Sequence, residues 1–284
     1  MTRKYGPTLR SRWLGRQLRE YREAAGLTLR DAAEHVLRNA PAIGRMEAGF
    51  VPARAPDVFE LLNLYGVTDQ GVRAGLEQLS RDAWRKRWWD SYTGWLSPEF
   101  VDLAWLETRT TRIRDFSTLV LHGLLHTPEY ARALMRASDP DAHDDDLDQL
   151  IEFRTRRQEI LAGDSAPEYT SIIDEAVLHR VVGGSDIMRA QLRHLLDLAD
   201  RPRVTLRVLP FAVGTPSSSE SPFTYLSIDQ PLPDVVPLST EAGIIYVEAP
   251  GTDGFDKAYV RLERDALSPD DSRTFIRKQM EQLA

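Results

Sequence analysis

The sequence contains no cysteine. This absence excludes disulfide bonds, a catalytic thiol and every zinc site that uses thiolate ligands. The sequence also lacks an apolar run near the roughly 20 residues that a membrane span needs. Its first residues, Met-Thr-Arg-Lys-Tyr-Gly-Pro, lack the apolar core of a signal peptide. We therefore expect a cytoplasmic protein without a membrane segment.

Common signatures of enzymes are missing as well. There is no Gly-x-Ser-x-Gly, no Walker phosphate loop and no dinucleotide-binding fingerprint. His122, His126 and Glu129 have a spacing that would suit zinc on a helix, but Gly123 favours a loop there. The acidic run 139–146 lacks the glycine and final glutamate of a calcium loop, so a solvated loop before a helix explains it better. We expect no metal, no cofactor and no enzymatic activity.

Charge is unevenly distributed along the chain. The net charge of -7 by itself argues against nucleic acid as a partner. Yet the first 30 residues contain eight arginines or lysines and only two acids, Glu20 and Glu23. A basic N-terminal segment followed by an acidic rest of the chain is expected when one module binds the phosphates of a nucleic acid. A solvated N-terminal tail has the same composition. Because 284 residues exceed the usual domain of about 100 to 150, we predict a small module followed by a larger one.

Residues 14–66 predict four short helices. Apolar side chains recur at helical spacing, and Gly26, Gly49 and Gly66 end three of the segments. Thr28 and Asn39 are suited to cap the second and third helices. A tight turn between those two helices predicts a helix-turn-helix domain.

Two motifs of this region, Arg-Glu-Ala-Ala-Gly-Leu-Thr over 22–28 and Ile-Gly-Arg-Met-Glu-Ala-Gly over 43–49, resemble the phage-repressor or XRE class of helix-turn-helix proteins. The resemblance implies that the third helix enters the major groove of duplex DNA and that Arg45 reaches base edges. An arginine that holds guanine O6 and N7 discriminates by about 1 to 3 kcal/mol; contact with phosphate or solvent alone is the alternative for Arg45. The resemblance also implies a structural ion pair between Arg22 and Glu47.

The sequence departs from this class at two places. Leu37 stands where the class usually has a glycine in the turn, and a left-handed conformation costs a leucine roughly 1 to 2 kcal/mol, so we expect a differently built turn. The third helix begins Ala-Pro-Ala, which offers no side-chain donor to bases, so phosphate contacts and shape readout are expected to contribute. The predicted DNA-binding residues are Arg30, Arg38, Asn39, Ala40, Pro41, Ala42, Arg45 and Arg54.

Helical spacing continues from residue 69 to 84, and the aromatic and basic segment Arg85–Tyr92 follows it. Such aromatics can stack on single-stranded bases, but packing between domains is the favoured interpretation. Beyond residue 95 the patterns mix. They predict a helix running into a strand near 116–121, helices over 128–135, 146–161 and 185–198 and at the end, and strands over 169–173, 204–208, 223–228 and 243–248.

These patterns predict a mainly α protein, in which a lambda-repressor-like helix-turn-helix bundle precedes an α+β domain. The predicted domains are a DNA-binding domain over 1–68, a helical linker over 69–95 and a domain for partner binding and dimerisation over 96–284.

The second half resembles the domain of unknown function that follows an XRE module in actinobacterial WhiJ-like and Scr-like regulators. Matching segments include Gly-Leu-Leu-His-Thr-Pro-Glu-Tyr-Ala-Arg over 123–132 and Gln-Leu-Arg-His-Leu-Leu over 191–196. His122 and His126 stand where that family usually has proline and glutamine. The resemblance implies a transcription regulator whose gene lies beside that of a small acidic partner protein, in a toxin-antitoxin-like arrangement, and no catalytic residue.

Because helix-turn-helix modules usually bind paired half-sites, we also expect a homodimer. The alternative function is an interaction module whose helix-turn-helix no longer binds DNA, and the Ala-Pro-Ala start of the third helix is its best support.

Overall fold

A computed structural model describes residues 7–93, 95–215, 221–229, 231–240 and 243–283. Contacts divide the chain into two compact units. The first unit comprises Met1–Leu106, Asp229–Pro233 and Thr240–Ile244. The second comprises Glu107–Ile228, Asp234–Ser239 and Ile245–Ala284. The predicted domain boundaries at residues 68 and 95 stay predictions; by contacts, the first unit extends to Leu106.

Helices build the first unit. They are α1 (Leu9–Ala24), α2 (Leu29–His35), α3 (Ala40–Glu47), α4 (Ala55–Leu64), α5 (Gln70–Trp84) and α6 (Pro98–Glu107). Gly26, Gly49 and Gly66 follow α1, α3 and α4 with φ of 70°, 77° and 72°. These left-handed residues end the helices as predicted, because glycine adopts this conformation without strain.

Side chains cap the starts of α1, α2 and α3. The Thr28 side chain and Asp31 form a reciprocal capping box at α2. At α3, Asn39 Oδ1 accepts the N–H of Ala42 at 2.9 Å. Helix α1 begins at Leu9, earlier than the sequence predicts, because the Thr8 side chain caps it.

Residues beyond α5 hold the start of α1. The N–H of Leu9 donates to Asp102 Oδ2 at 2.8 Å, and the Trp13 ring meets the Trp105 ring edge-on at 5.7 Å between centroids. Burial raises the pKa of Asp102 to about 6. The helix-turn-helix and the following helices to residue 106 therefore share one core.

The second unit contains a six-stranded sheet of order β3-β2-β1-β4-β5-β6. Its strands are β1 (Thr110–Ser117), β2 (Glu168–Asp174), β3 (Val204–Leu209), β4 (Phe223–Ile228), β5 (Val235–Thr240) and β6 (Gly243–Glu248). Strands β1, β2 and β3 run parallel, whereas β4 is antiparallel to β1 and to β5. This is a mixed sheet without regular strand-helix alternation.

Six further helices accompany the sheet: α7 (Pro128–Ser138), α8 (Asp144–Gln158), α9 (Glu175–His179), α10 (Ser185–Ala199), α11 (Asp253–Asp265) and α12 (Pro269–Gln282). Helix α11 buries Tyr259 and Leu262 against Phe116, Ile172 and Phe223 of the sheet. Helices make up 57% of the chain. The predicted fold class, mainly α with an α+β second part, is confirmed.

One prediction for the residues beyond 95 is wrong, and one strand was not predicted. The helix expected to run into a strand near 116–121 is instead α6 followed by β1 at Thr110–Ser117. The sequence patterns did not predict strand β5, which contains Pro237, a residue that lowers strand propensity. Within the described residues, no helix has the length and apolar character to cross a membrane.

Candidate nucleic-acid interface

Helix α3 presents one face to the core and the other to solvent. Ile43 and Met46 are buried in the first unit, while Pro41 and Arg45 are exposed. Three- and four-residue spacing places these two sets on opposite sides of the helix. The exposed face of α3 is therefore free to enter a groove of a partner.

Arg45 is the only basic residue of α3. Its side chain is exposed and makes no hydrogen bond or ion pair with any residue that the structure describes. A guanidinium group without an internal partner keeps all its donors available. Arg45 can therefore bind a base edge or a phosphate without breaking an existing contact.

Arg38 and Arg30 already have acidic partners. Arg38 Nη2 lies 2.9 Å from Asp57 Oδ2, and Arg30 Nε lies 2.8 Å from Glu34 Oε1. Both arginine side chains retain exposure. A phosphate contact by either residue would have to share or replace its carboxylate.

Arg54 lies over an aromatic ring. Its guanidinium carbon is 5.4 Å from the centroid of the Trp84 ring, at the end of α5. The contact orients an otherwise exposed cation at the N-terminus of α4. The sequence did not indicate this partner, because Trp84 lies 30 positions away from Arg54.

The structure brings Arg22 and Glu47 together. Arg22 Nε and Nη2 donate to the two carboxylate oxygens of Glu47 at 2.6 and 2.9 Å, and Nη1 donates to the carbonyl of Leu27 at 2.8 Å. Both side chains are buried, and the hydrogen bond that Arg22 donates to Glu47 raises the pKa of Arg22. The pair therefore ties the end of α1 to the end of α3.

Leu37 occupies the turn between α2 and α3 with φ of 55°. The expectation of a differently built turn is wrong: the leucine itself takes the left-handed conformation. The N–H of Leu37 donates to the Glu34 carbonyl at 3.3 Å, and the N–H of Arg38 donates to the Ala33 carbonyl at 2.8 Å. These bonds satisfy the end of α2 and offset the strain. The leucine side chain is 92% exposed, so apolar burial contributes nothing to offset the strain.

Two families match this chain. A helix-turn-helix domain matches residues 13–75, which include α3 and the Arg22–Glu47 pair. A domain of unknown function, DUF5753, matches residues 100–278, more than half of the chain. The chain belongs to the DUF5753 family. Comparisons with curated proteins and with solved structures gave no match. The helix-turn-helix domain indicates a DNA-binding regulator.

The remaining predicted residues of this DUF5753 protein lie around the start of α3. Asn39 is exposed and caps the helix, while Ala40 and Ala42 are half-buried. Sequence reasoning missed Phe50, which directly follows Gly49 and is 68% exposed. With Leu37, it gives the surroundings of α3 two exposed apolar side chains.

Replacing Leu37 by glycine is expected to stabilise the first unit of the DUF5753 protein by about 0.5 to 1 kcal/mol. The substitution removes roughly 1 to 2 kcal/mol of left-handed strain and adds a smaller cost in unfolded-chain entropy. Urea unfolding followed by tryptophan fluorescence measures this, because all six tryptophans lie at or before residue 105. Leu37→Ala keeps the strain and should leave the midpoint nearly unchanged; a lower midpoint for Leu37→Gly would contradict the argument.

The histidines that could have suggested a zinc site in the DUF5753 protein have other contacts. His126 is buried between the carbonyl of Leu121, 2.8 Å from Nε2, and Arg154, 3.1 Å from Nδ1. His122 Nδ1 lies 3.2 Å from the Tyr169 hydroxyl. Among the described residues, no group of histidine and acidic side chains could hold a metal ion.

Proposed function

We propose that this protein is a sequence-specific transcription regulator of the XRE type that places α3 in the major groove of duplex DNA. The observation that carries the proposal is the exposed, unpaired guanidinium of Arg45 on the outer face of α3. The major groove, about 12 Å wide, admits an α-helix. The match to a helix-turn-helix domain over residues 13–75 supports this orientation.

In this proposal, different arginines have different roles. Arg45 reads a guanine, while Arg30, Arg38 and Arg54 contact phosphates on either side of the groove. Phosphate contacts by Arg30 and Arg38 exchange one anion for another, which lowers their net contribution. The half-buried Ala40 and Ala42 at the start of α3 allow close approach and apolar contact with a thymine methyl group.

Arg45→Ala is expected to weaken binding to the cognate operator about 10- to 100-fold, the loss of one bidentate contact to guanine. Binding to random duplex of equal length should fall far less. Fluorescence anisotropy at fixed salt, with the operator taken from the promoter of the protein's own gene, measures both affinities. Arg45→Lys keeps the charge but lacks the two parallel donors of a guanidinium. Its affinity for the operator should therefore be close to that of Arg45→Ala, and its affinity for random duplex close to that of wild type. Equal losses on both duplexes would make Arg45 a phosphate contact only.

We further propose a cytoplasmic homodimer that acts with a small acidic partner protein in a toxin-antitoxin-like pair, as in actinobacterial WhiJ-like and Scr-like regulators. Paired half-sites about 34 Å apart favour a dimer. Segments of the second half support this relationship through their resemblance to that family. We propose no enzymatic activity. Sedimentation of the free protein and of its DNA complex tests the dimer.

A second candidate function is an interaction module that no longer binds DNA. The absence of side-chain donors at Ala40, Pro41 and Ala42, together with the exposed Leu37 and Phe50, favours it. Salt separates the two candidates. The logarithm of the DNA-binding constant should fall linearly with the logarithm of salt concentration if several phosphates are neutralised. The absence of duplex binding at low salt, with a partner protein still bound, would favour the interaction module.

A further inference from the structure

The turn that connects β1 to α7 is held rigidly by two buried or half-buried glutamines. Gln158 Nε2 donates to the carbonyls of Gly123 and His126 at 3.1 and 2.8 Å. From α10, Gln191 Nε2 donates to the carbonyl of Leu125 at 2.7 Å. Such bonds to main-chain groups fix a turn in one conformation, so any ligand of this turn would meet a preorganised surface.

Arg154 of α8 faces this turn without a counter-ion. Its Nη1 donates to His126 Nδ1 at 3.1 Å, and no carboxylate of the described residues forms an ion pair with it. Burial, together with the positive charge of Arg157, lowers the pKa of Arg154 to about 10. By contrast, Arg157 donates from Nε to Glu107 at 2.8 Å. Arg154 is half-buried, and a partly desolvated cation without a counter-ion is costly, so its retention calls for an explanation.

The histidines beside Arg154 do not supply the missing negative charge. Burial lowers the pKa of His126 to about 3 and also lowers the pKa of His122, so both imidazoles are neutral at physiological pH. Because Arg154 donates to His126 Nδ1, the His126 Nε2–H donates to the carbonyl of Leu121. Neither histidine therefore offsets the positive charge of Arg154.

A second carboxylate near His122, that of Asp115, is bound elsewhere and is not a counter-ion of Arg154. It accepts the hydroxyls of Ser117 and Ser171 at 2.8 Å and that of Thr224 at 3.2 Å. Asp115 is buried within the sheet. These hydroxyl groups hold the carboxylate within the sheet, and among the described residues Asp115 forms no ion pair with Arg154.

Space is open beside the guanidinium of Arg154. A Cβ placed on Gly123 would lie 4.0 Å from Arg154 Nη1, and beyond the adjoining backbone it would meet no other described atom within 4 Å. Gly123 does not have a positive φ, so backbone conformation does not require glycine at this position. The absence of a side chain keeps this approach to Arg154 clear.

We propose that Arg154 and the space beside Gly123 form a binding site for a small anion, whose carboxylate or phosphoryl oxygens bond to the guanidinium. A planar guanidinium binds two oxygens of either group in parallel. The site lies in the second unit and goes beyond the proposed DNA binding. In this proposal, the ligands of the DUF5753 region are small anions with a carboxylate or phosphoryl group.

Titration of the full-length protein with inorganic phosphate, and separately with succinate, tests the site. Ionic strength is held constant with sodium chloride, and nuclear magnetic resonance follows the Arg154 Nε–H and Gly123 amide signals. Saturable shifts of both signals are expected with at least one probe. Scanning calorimetry should then show the unfolding temperature rising by roughly 5 to 10 °C at about 100-fold excess over Kd. No saturation with either probe up to about 100 mM would overturn the proposal.

Three variants separate a bound anion from a general salt effect, which acts on all of them alike. Arg154→Gln keeps a donor for His126 and should lose at least about tenfold in affinity. Gly123→Asp places a carboxylate beside Nη1, so it should raise the unfolding temperature without probe and abolish the response to probe. Gly123→Asn has nearly the same size without the charge and should bind the probe better than Gly123→Asp.

If Arg154→Gln binds the probe with the same affinity as wild type, the proposal is overturned. If both Gly123 substitutions prevent probe binding by their size, the Arg154→Gln result alone decides. DNA affinity is measured on the same preparations without probe. Helix α3 and Arg154 lie in different units. A wild-type protein that does not bind DNA would therefore refute the proposed function, whereas the anion site would still be decided by the titration alone.

Discussion

Glu47→Gln is expected to lower the free energy of unfolding of the first unit by about 3 kcal/mol. Arg22 donates to both oxygens of Glu47 in a buried pair. Removal of one charge leaves the other desolvated and unpaired, which costs about 3 to 5 kcal/mol, and the amide oxygen of glutamine recovers part of this. Urea unfolding followed by tryptophan fluorescence reports the first unit alone.

Two controls accompany this substitution. Glu23→Gln removes an exposed carboxylate that lies 3.4 Å from the same arginine, and it should leave the midpoint close to wild type. Arg22→Met combined with Glu47→Leu removes both charges and should recover most of the loss. A Glu47→Gln midpoint as close to wild type as that of Glu23→Gln would refute a structural role for the pair.

Gly15→Ala is expected to destabilise the first unit by about 3 kcal/mol or more and to displace α3 from its place on α1. A Cβ at residue 15 would lie 2.4 Å from the carbonyl oxygen of Met46 and 2.5 Å from that of Glu47. These are backbone atoms at the end of α3, so the clash cannot be relieved by a rotamer change. Unfolding experiments measure the loss, and operator affinity should fall as well.

Gly44→Ala is the matched control, because Gly44 is a glycine of α3 itself. A Cβ there would meet only Leu29 Cδ1, at 3.8 Å, which is ordinary contact. Alanine also favours the helix by up to about 1 kcal/mol over glycine. Gly44→Ala should therefore stabilise the unit, and equal destabilisation by both substitutions would refute the close approach of α1 and α3 as the cause.

Local chemistry explains which elements could be predicted from the sequence. Thr28 and Asn39 act within one helical turn, and Gly26 acts at the end of the helix it follows, so their roles depend on neighbours in the chain. The pairing of Arg22 with Glu47 was available through the resemblance to a family, because its partners are 25 positions apart.

Features that depend on distant partners could not be predicted. Strand β1 has the sequence Thr-Thr-Arg-Ile-Arg-Asp-Phe-Ser. Its polar and basic residues are typical of a surface segment. It becomes a central strand because β2 and β4 pair with it on either side. Leu37 takes a conformation that its own preference opposes, since the bonds at the end of α2 and the start of α3 require it.

The candidate sites show the same limit. Arg45 was predicted because it stands at a motif position, whereas the Asp57 partner of Arg38 lies 19 positions away and has no motif. Arg154 is one arginine among several in α8. What distinguishes it is a missing counter-ion, and only the folded arrangement of charges around it reveals that.

The contacts of Asp102 and Trp105 with α1 mean that the border of a sequence match is not the border of a folded body. A gene fragment that ended at residue 75, with the helix-turn-helix match, would encode all of α3. It would nevertheless leave the Leu9 amide without Asp102 and the Trp13 ring without Trp105 at the start of α1. We therefore expect a fragment that carries this module into another protein to need the helices that follow it as far as α6.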